Sequence, residues 1–264
     1  CSTHDNLLFF TNKGKVYALQ AYQVPEATRY AKGKALVNML GLQGENVATT
    51  LAVKSFEGSL ALCTKKGMIK MMDVSNFEKI RGSGIIAITL PEDGSDELID
   101  AKFLKEKDEI FLGTKEGIAI RFLSSDLRSV GRAAYGVIGI RLDKDDCVVG
   151  AEILPATKEE LDKISILTVT EKGFGKRTEI DKYRKTARAG KGVTNLKVTD
   201  KTGAVASIIK VTDEDSIIVT TQKGMVIRTN VKNIRYAGRS TQGVRIIKLA
   251  ENDKVIGMAR IREE

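Results

Sequence analysis

Residues Ile164–Thr178 read ISILTVTEKGFGKRT, and this stretch indicates how the whole chain folds. Its first six residues are rich in β-branched side chains, which favour a strand. The turn Thr170-Glu171-Lys172-Gly173 follows, and its glycine can adopt a positive φ at no steric cost. The chain then returns over Phe174–Thr178 as a second short strand. The stretch is therefore predicted to be a β-hairpin.

The same Thr-x-x-Gly turn occurs five times along the chain. The intervals between its glycines are 53, 50, 56 and 51 residues. A period near 50 residues with short β-rich segments is typical of the blades of a propeller. Since one blade cannot bury its own faces, the repeats are expected to form a single array. The hairpin glycines are Gly14, Gly67, Gly117, Gly173 and Gly224.

Each repeat carries a second marker, an Arg-x-x-x-Gly loop. We call the loop that ends at this second glycine, with the few residues before its arginine, a box loop. In four repeats the two glycines are 19 residues apart, whereas the second repeat has Arg81-Gly82-Ser83-Gly84 and a gap of 17. Two markers held in register five times favour tandem repeats over coincidence. The regular box loops are Arg29–Gly33, Arg132–Gly136, Arg188–Gly192 and Arg239–Gly243.

Two further strands complete the predicted repeat. Val193–Val198 alternates with period two, as a half-buried strand does, and Ala204–Ile209 supplies the fourth strand. The one predicted helix is a short one at Lys158–Lys163. The terminal strand Lys254–Ile261 is expected to pair with the blade that contains Leu7–Phe10 and so to close the ring.

The predicted fold class is all-β, a propeller-like closed disc of four-stranded blades of about 50 residues. The whole chain, 1–264, is taken as one domain. Its repeats are predicted at approximately 1–53, 54–103, 104–153, 154–209 and 210–264.

Positive charge follows the repeats. The net charge is +9, but the five stretches from each hairpin turn to the strand after its box loop hold 31 basic and 8 acidic residues. The remainder holds 12 basic and 26 acidic residues. A segregated positive band of this kind indicates a polyanionic partner, most often nucleic acid. The five stretches are 11–40, 64–90, 114–142, 170–198 and 221–249.

The chain shows no motif for catalysis or for a metal. It has one histidine, His4, and three scattered cysteines, which suit a reducing cytoplasm. We interpret the acidic cluster around Asp143 as a turn between repeats rather than as a Mg²⁺ site. No apolar run is long enough to span a membrane. We therefore expect no metal or cofactor in this chain and no enzyme activity of its own.

Four segments carry a resemblance to a known family: FFTNKGKVY at Phe9–Tyr17, YQVPEATR at Tyr22–Arg29, GFGKRT at Gly173–Thr178 and GRSTQGV at Gly238–Val244. They resemble the C-terminal domain of the DNA gyrase A subunit, of the type IIA topoisomerases. The resemblance extends over essentially all 264 residues. It implies a β-pinwheel, which is a propeller-like disc whose blades exchange a strand.

The resemblance also implies a function. Double-stranded DNA would bend around the basic rim, largely independently of its sequence, so that the domain presents the transport segment for ATP-dependent strand passage and control of DNA topology. The catalytic tyrosine and the ATPase, with its ATP and Mg²⁺, would lie elsewhere, in the rest of the A subunit or in the B subunit. These would form an A2B2 heterotetramer in the cytoplasm, associated with the nucleoid.

Alternatives remain open at this point. Gyrases typically carry a box of the form Gln-Arg-Arg-Gly-Gly-Lys-Gly, and no such heptad occurs here. Either a first blade with that box is not included in this chain, or the domain is a box-less, five-bladed disc of the topoisomerase IV kind that steers relaxation and decatenation. A third hypothesis is that the chain is a propeller-type protein-interaction module that binds an acidic partner.

The predicted DNA contacts are cations that can reach phosphate oxygens from glycine-containing loops and turns. In the box loops they are Arg29, Lys32, Lys34, Arg81, Arg132, Lys185, Arg188, Lys191, Arg235 and Arg239. In the hairpins they are Lys13, Lys66, Lys172, Lys176, Arg177 and Arg228.

Overall fold

The computed structural model describes residues 1–28 and 30–261, and Arg29 lies outside the described residues. Nearly all regular structure in these residues is β. The chain divides into two compact units. Unit 1 comprises Cys1–Lys105 and Leu127–Val137, and unit 2 comprises Glu106–Asp126 and Ile138–Glu264.

The strands, in chain order, are β1 (Asn6–Thr11), β2 (Lys15–Gln20), β3 (Val47–Val53), β4 (Ser59–Thr64), β5 (Met68–Asp73), β6 (Ile85–Ile86), β7 (Leu98–Leu104), β8 (Glu109–Thr114), β9 (Ile118–Leu123), β10 (Val137–Ile138), β11 (Val148–Leu154), β12 (Ser165–Thr170), β13 (Phe174–Glu179), β14 (Val193–Thr194), β15 (Val205–Val211), β16 (Ser216–Thr221), β17 (Val226–Asn230), β18 (Val244–Arg245) and β19 (Val255–Ile261). The α-helices are α1 (Leu36–Leu40) and α2 (Lys158–Leu161). Short 3-10 turns cover Ala21–Gln23, Val74–Phe77, Ser124–Asp126, Ile180–Lys182 and Val231–Asn233.

Unit 1 contains two four-stranded sheets. Sheet 1 has the order β3-β1-β2-β6 and sheet 2 the order β7-β4-β5-β10. Their facing side chains form one core, in which the rings of Phe10 and Phe77 meet edge to face at 5.5 Å. The strands β3 and β7 contact each other, so they mark the inner edges of the two sheets.

Unit 2 contains three sheets. Sheet 3 has the order β11-β8-β9-β14, sheet 4 the order β15-β12-β13-β18, and sheet 5 the order β19-β16-β17. One core lies between sheets 3 and 4 and a second between sheets 4 and 5. The inner strand β15 contacts both β11 and β19. The predicted all-β fold of repeated antiparallel blades is confirmed.

The outermost strand of each four-stranded sheet comes from the following repeat. β6 pairs with β2, β14 with β9, and β18 with β13, all antiparallel. β10 takes the same place beside β5. Each of these two-residue strands directly follows the glycine that ends a box loop. The strand exchange that the resemblance implied is therefore confirmed.

The hairpin glycines receive the exchanged segments. Gly117 has a φ of +78°, and its carbonyl oxygen accepts backbone hydrogen bonds from Asn195 (2.7 Å) and Leu196 (3.1 Å). A Cβ on Gly117 would lie 2.2 Å from the carbonyl oxygen of Leu196. Gly14 and Gly173 accept two backbone hydrogen bonds in the same way. Glycine is thus needed both for its backbone angle and for close approach.

The predicted strand Val193–Val198 is shorter than expected. Only Val193 and Thr194 pair with β9. The next two N–H groups converge on the carbonyl oxygen of Gly117, which bends the chain away from the sheet. Alternation alone could not show this bend.

The expected pairing of the terminal strand is wrong. β19 pairs with β16 of its own sheet, with Ile218 opposite Ala259. Leu7–Phe10, in β1, pairs instead with β2 on one side and β3 on the other. The hydrophobic residues of β19 complete the core between sheets 4 and 5.

The first repeat also differs from the others. The residues that follow its box loop form α1 rather than an exchanged strand. The last residue of α1, Leu40, is buried against Phe9 and Tyr17. This helix had no counterpart in the predicted repeat, whereas the short helix predicted at Lys158–Lys163 is present as α2.

Replacing hairpin glycines by alanine should separate the two roles of glycine. Gly117 and Gly224 have φ values of +78° and +85°, but within the described chain no atom lies within 4 Å of a Cβ on Gly224. Gly224→Ala should therefore cost only the backbone strain, about 1 kcal/mol of unfolding free energy. Gly117→Ala should cost about 1–3 kcal/mol more, because Leu196 must move. Urea unfolding measures both, and equal costs would contradict the close approach.

Candidate nucleic-acid interface

The box loops of the second to fifth repeats lie at the outer edges of the sheets. Each of these four loops packs on the second hairpin strand of the preceding sheet, beside the exchanged strand. In unit 1, Val130 donates a 3.0 Å backbone hydrogen bond to Met71 of β5. In unit 2, Arg177 of β13 donates its backbone N–H to the carbonyl oxygen of Arg235 at 3.1 Å and accepts one from Ala237 at 2.9 Å. The cations of these four loops therefore lie on the edge opposite the inner strands.

Most of the predicted contacts lie at the surface. In unit 1 the exposed ones are Lys13, Lys32, Lys34, Lys66, Arg81 and Arg132. In unit 2 they are Lys172, Lys185, Lys191, Arg228 and Arg235, while Arg188 and Arg239 are half-buried. Nothing is described for Arg29, which was also predicted.

The two half-buried arginines are anchored to main-chain carbonyl oxygens. Arg188 donates from Nε to Asp126 and from Nη1 to Ile138, both at 3.2 Å. Arg239 donates from Nη1 to Thr194 at 3.0 Å. Because a guanidinium has five N–H donors, each arginine keeps donors for a phosphate while one edge is fixed.

Two predicted lysines face carboxylates. Lys185 Nζ lies 2.5 Å from Glu109 Oε1, and the Glu109 side chain is buried. Lys191 Nζ lies 3.8 Å from Asp143 Oδ1, and both of these side chains are largely exposed. The exposed pair is weak, so Lys191 can exchange Asp143 for a phosphate. Lys185 is held more firmly by a buried carboxylate.

Two predicted contacts, Lys176 and Arg177, are buried and need correction. Their exposures are 1% and 4%. Arg177 donates from Nε to the carbonyl oxygen of Ile234 at 2.8 Å, pairs with Asp213, and stacks 4.0 Å from the ring centroid of Tyr236. The hydrogen bond from Arg177 lowers the pKa of the Asp213 carboxyl. These cations serve the packing between sheet 4 and the next repeat.

Sequence reasoning missed two buried cations of the same kind, Lys70 and Arg121. Lys70 lies three residues after its hairpin glycine and Arg121 four residues after its own. Arg121 pairs with buried Glu109 and donates from Nη1 to the carbonyl oxygens of Ile180 (2.9 Å) and Tyr183 (3.1 Å). A signal was present, since Lys70 lies in the middle of the otherwise apolar run Met68–Met72.

Part of the repeated positive charge is therefore structural. Lys70, Arg121, Lys176 and Arg177 are buried in hairpin strands, so they do not form part of the surface band. The predicted contacts that remain at the surface lie in or beside the box loops, in the hairpin turns and, for Arg228, on a hairpin strand. Within residues 1–28 and 30–261, no three His, Cys, Asp or Glu side chains are grouped so that they could hold a metal ion. No helix of the described chain has the length and hydropathy to cross a membrane.

The sequence matches the family described as DNA gyrase C-terminal domain, beta-propeller, in five segments. The chain is 41% identical over 267 aligned positions to the DNA gyrase A subunit of Staphylococcus epidermidis (strain ATCC 12228 / FDA PCI 1200) and to that of Staphylococcus aureus (strain NCTC 8325 / PS 47). In both cases the match covers 100% of the chain but 29% of the relative. The matched segments are residues 5–45, 58–105, 108–155, 165–212 and 215–262.

Solved structures give the same result. The C-terminal domain of a DNA topoisomerase IV superposes with a TM-score of 0.87 and 26% identity, over 98% of this chain and 80% of that one. A DNA gyrase A C-terminal domain superposes with a TM-score of 0.83 and 26% identity, over 98% of this chain and 83% of that one.

The burial of Arg177 can be tested against Arg228, which occupies the equivalent place in sheet 5 but is exposed. Arg177→Met should lower the free energy of unfolding by about 2–3 kcal/mol, because the carbonyl oxygen of Ile234 loses its charged donor. Arg228→Met should change it by less than about 0.5 kcal/mol. Urea titrations of the two variants measure the difference. Similar small effects would show that Arg177 does not stabilise the fold.

Proposed function

Because the chain belongs to the DNA gyrase C-terminal domain family, we propose that it binds double-stranded DNA along its box loops and bends it. One observation carries the proposal: cationic box loops recur at the outer edge of one sheet after another in each unit. Cations presented along an edge can neutralise several phosphates of one duplex, and this releases the counterions bound to them.

The energetics favour a rigid scaffold with many contacts. DNA resists bending over a persistence length of about 50 nm, so bending 20–30 base pairs sharply costs several kcal/mol. Each phosphate that meets a lysine or an arginine releases counterions and offsets part of that cost. The packed cores between neighbouring sheets hold the sheets in place, so the loops do not shift when the DNA resists bending.

Binding should depend little on the base sequence. Proteins that read bases in the major groove commonly insert an α-helix or a two-stranded β-ribbon into it. The helices of the described residues have five and four residues, and neither carries a box loop. Arginines and lysines on loops contact phosphates, which position DNA without reading it.

In this proposal the chain is the non-catalytic part of a bacterial type IIA topoisomerase that acts in the cytoplasm. The chain spans 29% of the length of the curated relatives it matches. The proposal assigns cleavage of DNA and hydrolysis of ATP to other parts of the enzyme. The bent DNA would be presented as the segment to be transported. The partners of the domain would be the B subunit, together with the rest of the A subunit. The 41% identity to gyrase sequences favours gyrase over topoisomerase IV.

Salt should weaken the complex steeply. If about six to ten phosphates are engaged, the logarithm of the association constant should fall with the logarithm of salt concentration with a slope of roughly −5 to −9. Fluorescence anisotropy on duplexes of unrelated sequence measures both the slope and the sequence dependence. A flat salt response, or a strong preference for one short sequence, would contradict DNA wrapping. Tight salt-dependent binding to an acidic protein but not to DNA would favour the interaction module.

Charge reversal should locate the contact surface. Arg132→Glu and Arg235→Glu should each weaken binding about tenfold and reduce the salt slope by about one. Lys163→Glu makes the same charge change at an exposed residue just beyond α2 that belongs to no box loop or hairpin turn, and it should have much less effect. Equal effects at all three sites would indicate non-specific attraction. No effect at the box loops would move the contact surface elsewhere.

Bending in one sense should change DNA topology. When relaxed nicked plasmid is ligated in the presence of the protein, a wrapping domain should shift the distribution of linking number on a gel. The double variant Arg132→Glu/Arg235→Glu is the matched control. An unshifted distribution at saturating protein would mean that the domain binds DNA without wrapping it.

A further inference from the structure

Two buried lysines occupy equivalent places in sheets 2 and 4. Lys70 and Lys176 each lie three residues after the hairpin glycine, and each is 1% exposed. Lysine is almost never fully buried unless its ammonium group is paired. Among the described residues neither lysine forms a salt bridge with a carboxylate, so their partners must be sought elsewhere.

The Lys70 ammonium group is held entirely by main-chain oxygens. Nζ donates to the carbonyl oxygen of Ala87 at 2.8 Å, of Arg132 at 2.6 Å and of Ala134 at 3.1 Å. An ammonium group has three N–H donors, and these three carbonyls satisfy all of them. Two of the acceptors belong to the box loop of the third repeat.

Lys176 repeats the arrangement in unit 2. Its Nζ donates to the carbonyl oxygen of Gly238 at 2.5 Å and of Arg239 at 3.0 Å. Both acceptors belong to the box loop of the fifth repeat. Arg132 and Arg239 are the corresponding first residues of the Arg-x-x-x-Gly motif. In both units, therefore, a buried lysine holds the main chain of the arginine that begins the motif.

We propose that Lys70 and Lys176 are positioning residues that fix the box loops of Arg132 and Arg239 so that these two guanidinium groups face DNA from a rigid main chain. The proposal deepens the DNA-binding function proposed above and rests on it for its purpose. The contacts themselves do not depend on DNA. We call the hydrogen bonds from a buried lysine to the main chain of a box loop a lysine clamp. A loop that is already fixed by such a clamp loses less conformational entropy when it binds DNA.

The lysines also bring charge close to the loops. Burial lowers the pKa of Lys70 and of Lys176 to about 8, with the Arg239 guanidinium as a second cause for Lys176. Both values lie above 7, so the groups are mostly protonated at neutral pH. Each ammonium group then places an unpaired positive charge directly behind a loop where phosphate is expected.

The fourth repeat provides an internal comparison. The residue at the lysine position of sheet 3 is Ile120, so no ammonium group lies there. Its box loop is held without an ammonium group, by backbone hydrogen bonds from Ala189 to Gly139 at 2.7 Å and from Arg141 to Gly190 at 2.9 Å and by the side chain of Arg188. The lysine clamp is therefore a device of two particular loops and not a requirement of the fold.

Amide hydrogen exchange without DNA tests the clamp directly. In Lys70→Met the box loop at 131–136 should exchange at least about tenfold faster, and in Lys176→Met the loop at 238–243 should do so. The loop at 188–192 should be unchanged in both variants. Lys66→Met and Lys172→Met are matched controls, because they remove the same charge from exposed positions of the same sheets. They should leave exchange in the box loops as in the wild type.

DNA affinity provides the second measurement. The clamp variants should bind DNA about tenfold more weakly than the wild type. Lys163→Met removes the same charge from an exposed residue outside the predicted contacts and should change the affinity much less. Lys70→Arg and Lys176→Arg, which keep charge and donors, should restore loop protection at least in part. Unchanged loop exchange in folded Met variants would overturn the proposal. Failure of the wild type to bind DNA would overturn the proposed function while leaving the exchange result intact.

If a Met variant fails to fold, a measurement on the wild-type protein still tests the proposal. The ammonium protons of Lys70 and Lys176 should exchange slowly with water and be visible by nitrogen-detected NMR of lysine side chains at pH 7. Exposed lysines such as Lys66 should not be visible. Ammonium protons of the two buried lysines that exchange as fast as those of Lys66 would overturn the proposal.

Discussion

The structure depends on one constraint: the outer hairpin strand of a sheet is paired by a segment of the following repeat. That segment reaches its place by donating two N–H groups to the carbonyl oxygen of a hairpin glycine, as Asn195 and Leu196 do to Gly117. Because the segment directly follows a box loop, the exchange also decides where the loop lies. The loop must cross the outer edge of the preceding sheet. The position of the cations is thus a consequence of strand pairing and not a separate feature.

The basic residues of the repeats perform two different tasks. The buried ones on hairpin strands donate to carbonyl oxygens of the next repeat, as Lys176 does to Gly238 and Arg239. Those on the box loops remain at the surface, where phosphates can reach them. The buried cations fix the main chain of the loops that carry the surface cations. The same residue types in one repeat are therefore not interchangeable, and a count of charges overstates the surface available to DNA.

Much of the fold could be predicted because the hairpins are local: the Thr-x-x-Gly turn and its flanking strands lie within one short stretch of sequence. The ends of the exchanged strands could not be predicted in this way, because each has only two residues and these pair with a different repeat. In the fourth repeat, the alternation of apolar and polar residues continues to Val198, beyond the paired residues Val193 and Thr194. The burial of Arg177 was hidden for a related reason. Its partners, Ile234 and Asp213, belong to the next repeat, and its polar neighbours in sequence, Lys176 and Thr178, give no sign of its burial. Contacts between residues of different repeats could not be predicted from the local sequence.

The transfer of strands between repeats does not include every part of the described chain. Four transfers are present, and they leave over the segment after the first box loop and the last hairpin. The leftover segment forms α1 and buries Leu40 against Phe9 and Tyr17. The leftover hairpin ends at Gly224, around which the described residues leave open space, unlike the packed Gly117. Lys32 and Lys34, just before α1, are consequently positioned by an apolar helix contact and not by a hairpin strand, so the first box loop offers its charges by a mechanism different from that of Arg132 and Arg239.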